Sequence, residues 1–191
     1  MFVVVLDTCV LWPSRQRDFL LSLAVEGLYR PLWSDAILDE LEEHEDLKLV
    51  EREICPPVEA KRRAQRLVRT LRENFDDALV ENWEPYEGTF DLSDPDDEHV
   101  LAAAVVGGAG AIVTTNVKDF PEGKVPRHIQ VVEPAQFAAD TVSTSPEVAL
   151  RAVQCMSDRL RNPPQSVDEL LETFESKYGM TEAVELIREV R

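Results

Sequence analysis

Residues 2–6, FVVVL, are continuously apolar with no polar residue alternating through them, which marks a strand buried on both faces. Strands of that kind occur in parallel sheets covered by helices, and the segments that follow supply the helices. Ser14 to Tyr29 reads as a helix with Phe19, Leu20, Leu23 and Ala24 on one side, and a short strand follows around Pro31 to Trp33. Ser34 offers an N-cap oxygen to a helix from Asp35, whose apolar positions are Ile37, Leu38 and Leu41. After Pro56 and Pro57, a second long helix places Ala60, Ala64, Leu67, Val68, Leu71 and Phe75 at the 3.6-residue period. Ala78 to Trp83 reads as a short strand and Glu84 to Asp96 as an acidic loop. Val100 to Val106 is an alanine-rich helix ended by glycines, and Ala111 to Thr115 and Ile129 to Val132 are further strands. The alternation predicts an α/β sandwich with a mainly parallel central sheet flanked by helices.

The pattern changes after about residue 140. Ser145-Pro146-Glu147, the capping box Ser166 to Glu169, and Thr181-Glu182 each start a helix, with no strand among them. The expected division is residues 1–138 as the α/β domain and 139–191 as an all-helical C-terminal extension. Cys9, Cys55 and Cys155 make an odd count without a CxxC pair, which fits a reducing cytoplasm and argues against a disulfide framework or zinc knuckle. The opening segment lacks a basic leader and reaches Asp7 too early for a signal peptide or membrane span. A formal charge of −17 opposes non-specific adhesion to nucleic acid or anionic lipid.

Four carboxylates sit where the apolar segments end or begin: Asp7 after the first strand, Glu40 on the acidic helix, Asp97 at the start of the alanine-rich helix, and Asp119 after AIVTTN. In open α/β sheets, ligands bind at the carboxyl ends of strands near the point where strand order reverses. Carboxylates gathered there without a counter-ion would be pushed up in pKa, whereas a hard cation such as Mg2+ or Mn2+ makes the cluster favourable. One of Asp94 and Asp96 serves as the helix cap, leaving Asp97 in the first turn with a free carboxylate. Glu40 and Glu42 both lie at margins of the buried stripe, and the helical wheel does not choose between them. His44 and His99 read as surface or packing histidines. Lys61, Arg62, Arg63, Arg66, Arg69 and Arg72 form a basic helix face, suited either to a phosphate backbone or to pairing with Glu59 and Glu73.

LDTCVL, SDAILDEL, DPDDEHVLAAA and IVTTNVKDF, in that order, resemble the four acidic motifs of PIN-domain ribonucleases, most of all the bacterial VapC-type toxins, across about residues 1–138. The resemblance implies a PIN-like three-layer sandwich and a Mg2+- or Mn2+-dependent endoribonuclease of a type II toxin-antitoxin module. Its implied partners are RNA and a cognate antitoxin with a basic or amphipathic segment, and the C-terminal helices are available for packing, antitoxin binding or a homodimer. Carried over by position, Asp7, Glu40 and Asp97 are the first three catalytic and metal-binding acids. Many relatives have an aspartate where Asn116 stands, so Asp119 is taken as the fourth acid and Asn116 as its neighbour. Thr8, Thr114 and Thr115 are expected to orient water or phosphate, with Arg62 and Arg66 tracking the RNA. A PIN-shaped binding module without the chemistry is the alternative. A haloacid dehalogenase-type phosphatase would require DxDxT, and Asp7 is followed by Thr8-Cys9.

Overall fold

The structure is a computed structural model that describes residues 1–191. Four strands, β1 (Val3–Leu6), β2 (Arg30–Leu32), β3 (Ala111–Val113) and β4 (Gln130–Val132), form one sheet in the order β2-β1-β3-β4. Every pairing is parallel, with Val4 opposite both Pro31 and Ala111. Val4, Val5 and Leu6 are all inaccessible to solvent, and because successive strand residues point to opposite faces, both faces of β1 are covered. The chain steps from β1 outward to β2 on one side and from β3 outward to β4 on the other. The β1–β3 junction is therefore the point where strand order reverses.

The helices are α1 (Thr8–Leu11), α2 (Ser14–Val25), α3 (Asp35–Glu51), α4 (Pro57–Asn74) and α5 (Glu98–Val106), followed by α6 (Pro134–Thr144), α7 (Pro146–Arg159), α8 (Val167–Tyr178) and α9 (Thr181–Glu189). Ser34 caps α3 by accepting from the Ile37 N–H, as its position predicts. In α4 the buried residues are Ala60, Ala64, Val68 and Leu71, while Leu67 and Phe75 are half-buried at the edge of the same stripe. Gly107, at the end of α5, permits close packing onto β2. A Cβ there would lie 2.6 Å from Leu32 Cδ1 and 2.9 Å from both Val80 Cγ2 and the Ala103 carbonyl oxygen, so a side chain would force these neighbours to shift.

The segment Ala78 to Trp83 is not a strand. It contributes a single parallel bridge, Leu79 to Trp33, secured by Trp33 N–H to the Ala78 carbonyl (3.0 Å) and Val80 N–H to the Trp33 carbonyl (2.9 Å). Asn82 then adopts a left-handed conformation (φ 61°) and turns the chain away before a ladder can extend.

The four C-terminal helices pack into the same hydrophobic cluster as the sheet. Phe19 of α2 stacks on Phe174 of α8 with ring centroids 4.3 Å apart, and Tyr29 meets Phe137 of α6 edge to face at 4.8 Å. Ser166 and Glu169 form the expected capping box, and Gly179 closes α8 in the left-handed conformation (φ 66°). No helix is long and apolar enough to cross a membrane.

Candidate active site

Asp7 and Thr114 leave the sheet side by side at the carboxyl ends of β1 and β3, where the strand order reverses. Asp7 N–H bonds to the Val113 carbonyl at 3.1 Å, continuing the β1–β3 ladder one residue past its end. The Asp7 side chain is buried, and its Oδ2 accepts from Thr114 Oγ1 (2.6 Å) and from the Cys9 thiol (3.1 Å). Thr114 in turn accepts from the Asn116 N–H at 3.0 Å, and Cys9 accepts from the Thr115 N–H at 3.2 Å. One Asp7 oxygen is thus pinned by two donors while Oδ1 has no protein donor, so the carboxylate is oriented with one oxygen available. Burial and the charge of Asp7 push the Cys9 thiol up to about 11, which keeps it a neutral donor.

Asp7, Thr8, Glu40, Asp97 and Asn116 line one cavity of about 330 Å³, together with Cys9, Trp12 and His44. Asp94 caps the 3-10 turn at Pro95–Asp97 by accepting from the Asp96 N–H at 3.1 Å. Asp97 stands at the N-cap of α5 but makes no capping bond, so its carboxylate is free, as the division of labour among these aspartates predicts. Burial and the charges of Asp7, Asp94 and Asp119 push Asp97 up to about 6. Asp119 is half-buried in the 3-10 turn at Val117–Asp119, close enough to act on Asp97 electrostatically but not part of the cavity lining.

Glu40, rather than Glu42, faces the cavity. Its Oε2 accepts from Thr8 Oγ1 at 2.6 Å and its Oε1 from His99 Nε2 at 3.0 Å, so both oxygens are engaged by protein. Burial pushes the Glu40 carboxyl up, but the bonds from His99 and Thr8 outweigh it and hold the group below its ordinary value. The reciprocal effect raises His99 against the opposing pull of burial. His99 is buried edge-on against Trp83, with ring centroids 6.1 Å apart.

Arg62 and Arg66 are exposed on α4 and do not line the cavity. Arg62 and Arg63 pair with Glu59, Arg69 with Glu73, and Arg72 with Asp35, so much of the basic face is neutralised locally. Thr115 is exposed and reaches the site only through its N–H on Cys9. Sequence reasoning missed Trp12 and His44 as cavity residues. The signal for His44 was its place four residues after Glu40, on the same side of α3.

The cavity offers the hard oxygen donors that Mg2+ or Mn2+ requires, and at Asp97 burial and the neighbouring carboxylates outweigh the opposing influence of His99. No three carboxylate, imidazole or thiol side chains are already gathered tightly enough to enclose an ion. Mg2+ commonly takes only one or two carboxylates and keeps several waters, so the residues present fit a site built on Asp7 and Asp97.

Glu98, next to Asp97, does a different job. It is buried and accepts from Phe90 N–H (3.2 Å) and Leu92 N–H (2.9 Å), tying the acidic loop to the start of α5. Burial alone would raise its pKa, but these backbone donors outweigh it and the value is lowered. The stability it contributes is present above the ordinary glutamate range and lost as pH falls through the lowered folded value. Glu98→Ala strands the loop donors and should cost about 1–3 kcal/mol, measurable by urea unfolding at neutral pH, with the difference shrinking in acid.

The PIN domain family model matches residues 3–118, and the VapC50 C-terminal domain model matches residues 134–189. A curated relative from Mycobacterium tuberculosis (strain ATCC 25618 / H37Rv), described as "Putative ribonuclease VapC50", is 38% identical over 79 residues, 41% of this chain and 47% of the relative. The match spans about half the length of that relative. No solved structure matches the chain significantly. With a family match over more than half of its length and a parallel sheet that brings three motif acids into one cavity, the chain belongs to the PIN domain family, and its C-terminal region is similar to the VapC50 C-terminal domain.

Proposed function

We propose that this chain is a Mg2+- or Mn2+-dependent endoribonuclease, the toxin of a type II toxin-antitoxin module acting in the cytoplasm. The observation that carries the reading is the shared cavity of Asp7, Glu40 and Asp97 at the strand-order reversal, with Asp119 acting on Asp97 from beside it. The similarity to a protein described as a ribonuclease supports RNA as the substrate.

Asp7 and Asp97 are the residues that would hold the ion. When bound, a divalent cation neutralises phosphoryl oxygens and makes a coordinated water acidic enough to attack at neutral pH. Thr114 and Cys9 fix the Asp7 carboxylate, so its free oxygen is positioned before substrate arrives. Glu40, with both oxygens engaged, orders Thr8 and His99 at the cavity wall and acts through water rather than as a bare ligand. Asn116 lines the cavity with a neutral amide where many relatives carry charge, and Asp119 supplies charge from outside the lining. This arrangement favours one tightly held ion over two.

The nuclease unit is assigned to residues 1–138 and the helical extension to 139–191, with α6 crossing that boundary and both parts sharing one core. The expected partner is an antitoxin whose basic or amphipathic segment pairs with the cavity acids. End-labelled RNA should be cut in Mg2+, spared in EDTA and cut again when Mg2+ or Mn2+ is restored. RNA bound but uncut under all three conditions would identify a non-catalytic PIN module instead.

A further inference from the structure

One wall of the carboxylate cavity is aromatic, and hydrolysis makes no use of it. Trp12 and His44 line the cavity beside Asp7, Glu40 and Asp97. Trp12 is held firmly. Its indole N–H donates to the His44 carbonyl at 3.2 Å, and the two rings meet edge to face with centroids 6.4 Å apart. The Lys48 ammonium lies over the indole, 5.7 Å from the centroid, and is itself fixed by Ser14 Oγ at 3.2 Å and by Glu45.

The other two indoles, Trp33 (0% exposed) and Trp83 (8% exposed), are buried in the core. Trp12 packs on the core with one part and stays half-exposed with the rest, beside an exposed imidazole, in a cavity otherwise lined by three acids with Thr8, Cys9 and Asn116. A rigid aromatic surface next to a phosphodiester-cutting centre has a natural occupant, the flat face of a nucleobase. Stacking needs no positive charge, which suits a protein whose net charge of −17 repels phosphate backbones. The cavity, about 330 Å³, is at the small end of ligand-sized pockets and suits one nucleotide rather than a duplex. Bases in a duplex are stacked on one another, so only an unpaired nucleotide can use this wall.

We infer that Trp12, edged by His44, is the platform on which an unpaired RNA base stacks, positioning the neighbouring phosphodiester over Asp7 and Asp97. This rests on the ribonuclease reading and adds to it the residue that selects single-stranded or looped substrate.

The test uses Asp97→Asn protein in Mg2+, which holds RNA uncut, titrated with a short unstructured RNA oligomer and with an oligomer of the same length lacking its bases. Because Trp33 and Trp83 are buried, Trp12 is the indole open to a quencher. The intact oligomer should quench tryptophan emission saturably and bind about ten-fold tighter than the abasic one, within the range of a single base–aromatic stack. Trp12→Ala should remove that advantage without changing abasic binding, and Trp12→Phe should restore most of it. Equal affinity for intact and abasic oligomers overturns the proposal without any change at position 12, so the result does not depend on how that variant folds. RNA binding with Trp12→Ala indistinguishable from its parent overturns the stacking platform alone. Failure of the parent to bind RNA, with wild type failing to cut it, overturns the platform and the ribonuclease reading together.

Discussion

Asp97→Asn should lower the rate of RNA cleavage by at least about a hundred-fold, because the lost interaction with the ion is worth several kcal/mol at the transition state. The same substitution should raise the melting temperature of the metal-free protein at neutral pH. Burial and the charges of Asp7, Asp94 and Asp119 push Asp97 from its ordinary value of 3.8 up to about 6. Between those two values the folded state binds more protons than the unfolded state, so stability from this group falls as pH rises through the window and stays low above it. Asparagine removes the unbalanced charge and its pH dependence together. Its stabilising effect should therefore be seen at neutral pH and fade below the ordinary aspartate pKa. Mg2+ should reverse the order by stabilising wild type and leaving the variant nearly unchanged. Thermal melts with and without the ion, alongside cleavage of labelled RNA, read all of these effects. A variant that cuts normally, or that melts below wild type without metal, contradicts the role given to Asp97.

Phe174→Ala should destabilise the chain by about 3–5 kcal/mol, the usual cost of removing a buried aromatic ring. Phe174 is fully buried and stacked on the equally buried Phe19 at 4.3 Å, so the cavity left would lie between α8 and α2. For a chain of this size the loss corresponds to a fall in Tm of roughly 10 °C. Because one hydrophobic cluster runs from the sheet through α9, the whole chain should melt in a single transition in both proteins. A separate early transition, with the sheet melting as before, would show that the C-terminal helices form an independent unit.

Much of this arrangement was legible in the residues. The uninterrupted apolar run before Asp7 required a strand covered on both faces, and that alone places its following residue at the carboxyl edge of a parallel sheet. Ser34 and the capping box at Ser166 are local signals, because the oxygen and the N–H it accepts from lie within one turn. Asp97 could be separated from Asp94 and Asp96 because a helix start needs one capping carboxylate and leaves the others free.

The unread parts depend on contacts distant in sequence. Helix α6 begins at Pro134, a suitable first-turn position, but its apolar residues follow directly on β4 and the two periods merge. Leu79 pairs with Trp33 across a long gap, and the left-handed Asn82 that stops the ladder has no periodic signature. The bond from His99 to Glu40 joins α5 to α3, so the engagement of both Glu40 oxygens appears only in three dimensions. The basic face of α4 was visible in composition, whereas its neutralisation by Glu59, Glu73 and Asp35 needed side-chain placement.

The central claim is that Asp7 and Asp97, far apart in the sequence, jointly hold one divalent ion. Calorimetric titration of Mn2+ at physiological salt into wild type, Asp7→Asn and Asp97→Asn tests it most directly. One saturable site in wild type, lost in each single variant, is the predicted result. Binding of Mn2+ by both single variants with wild-type affinity would contradict it.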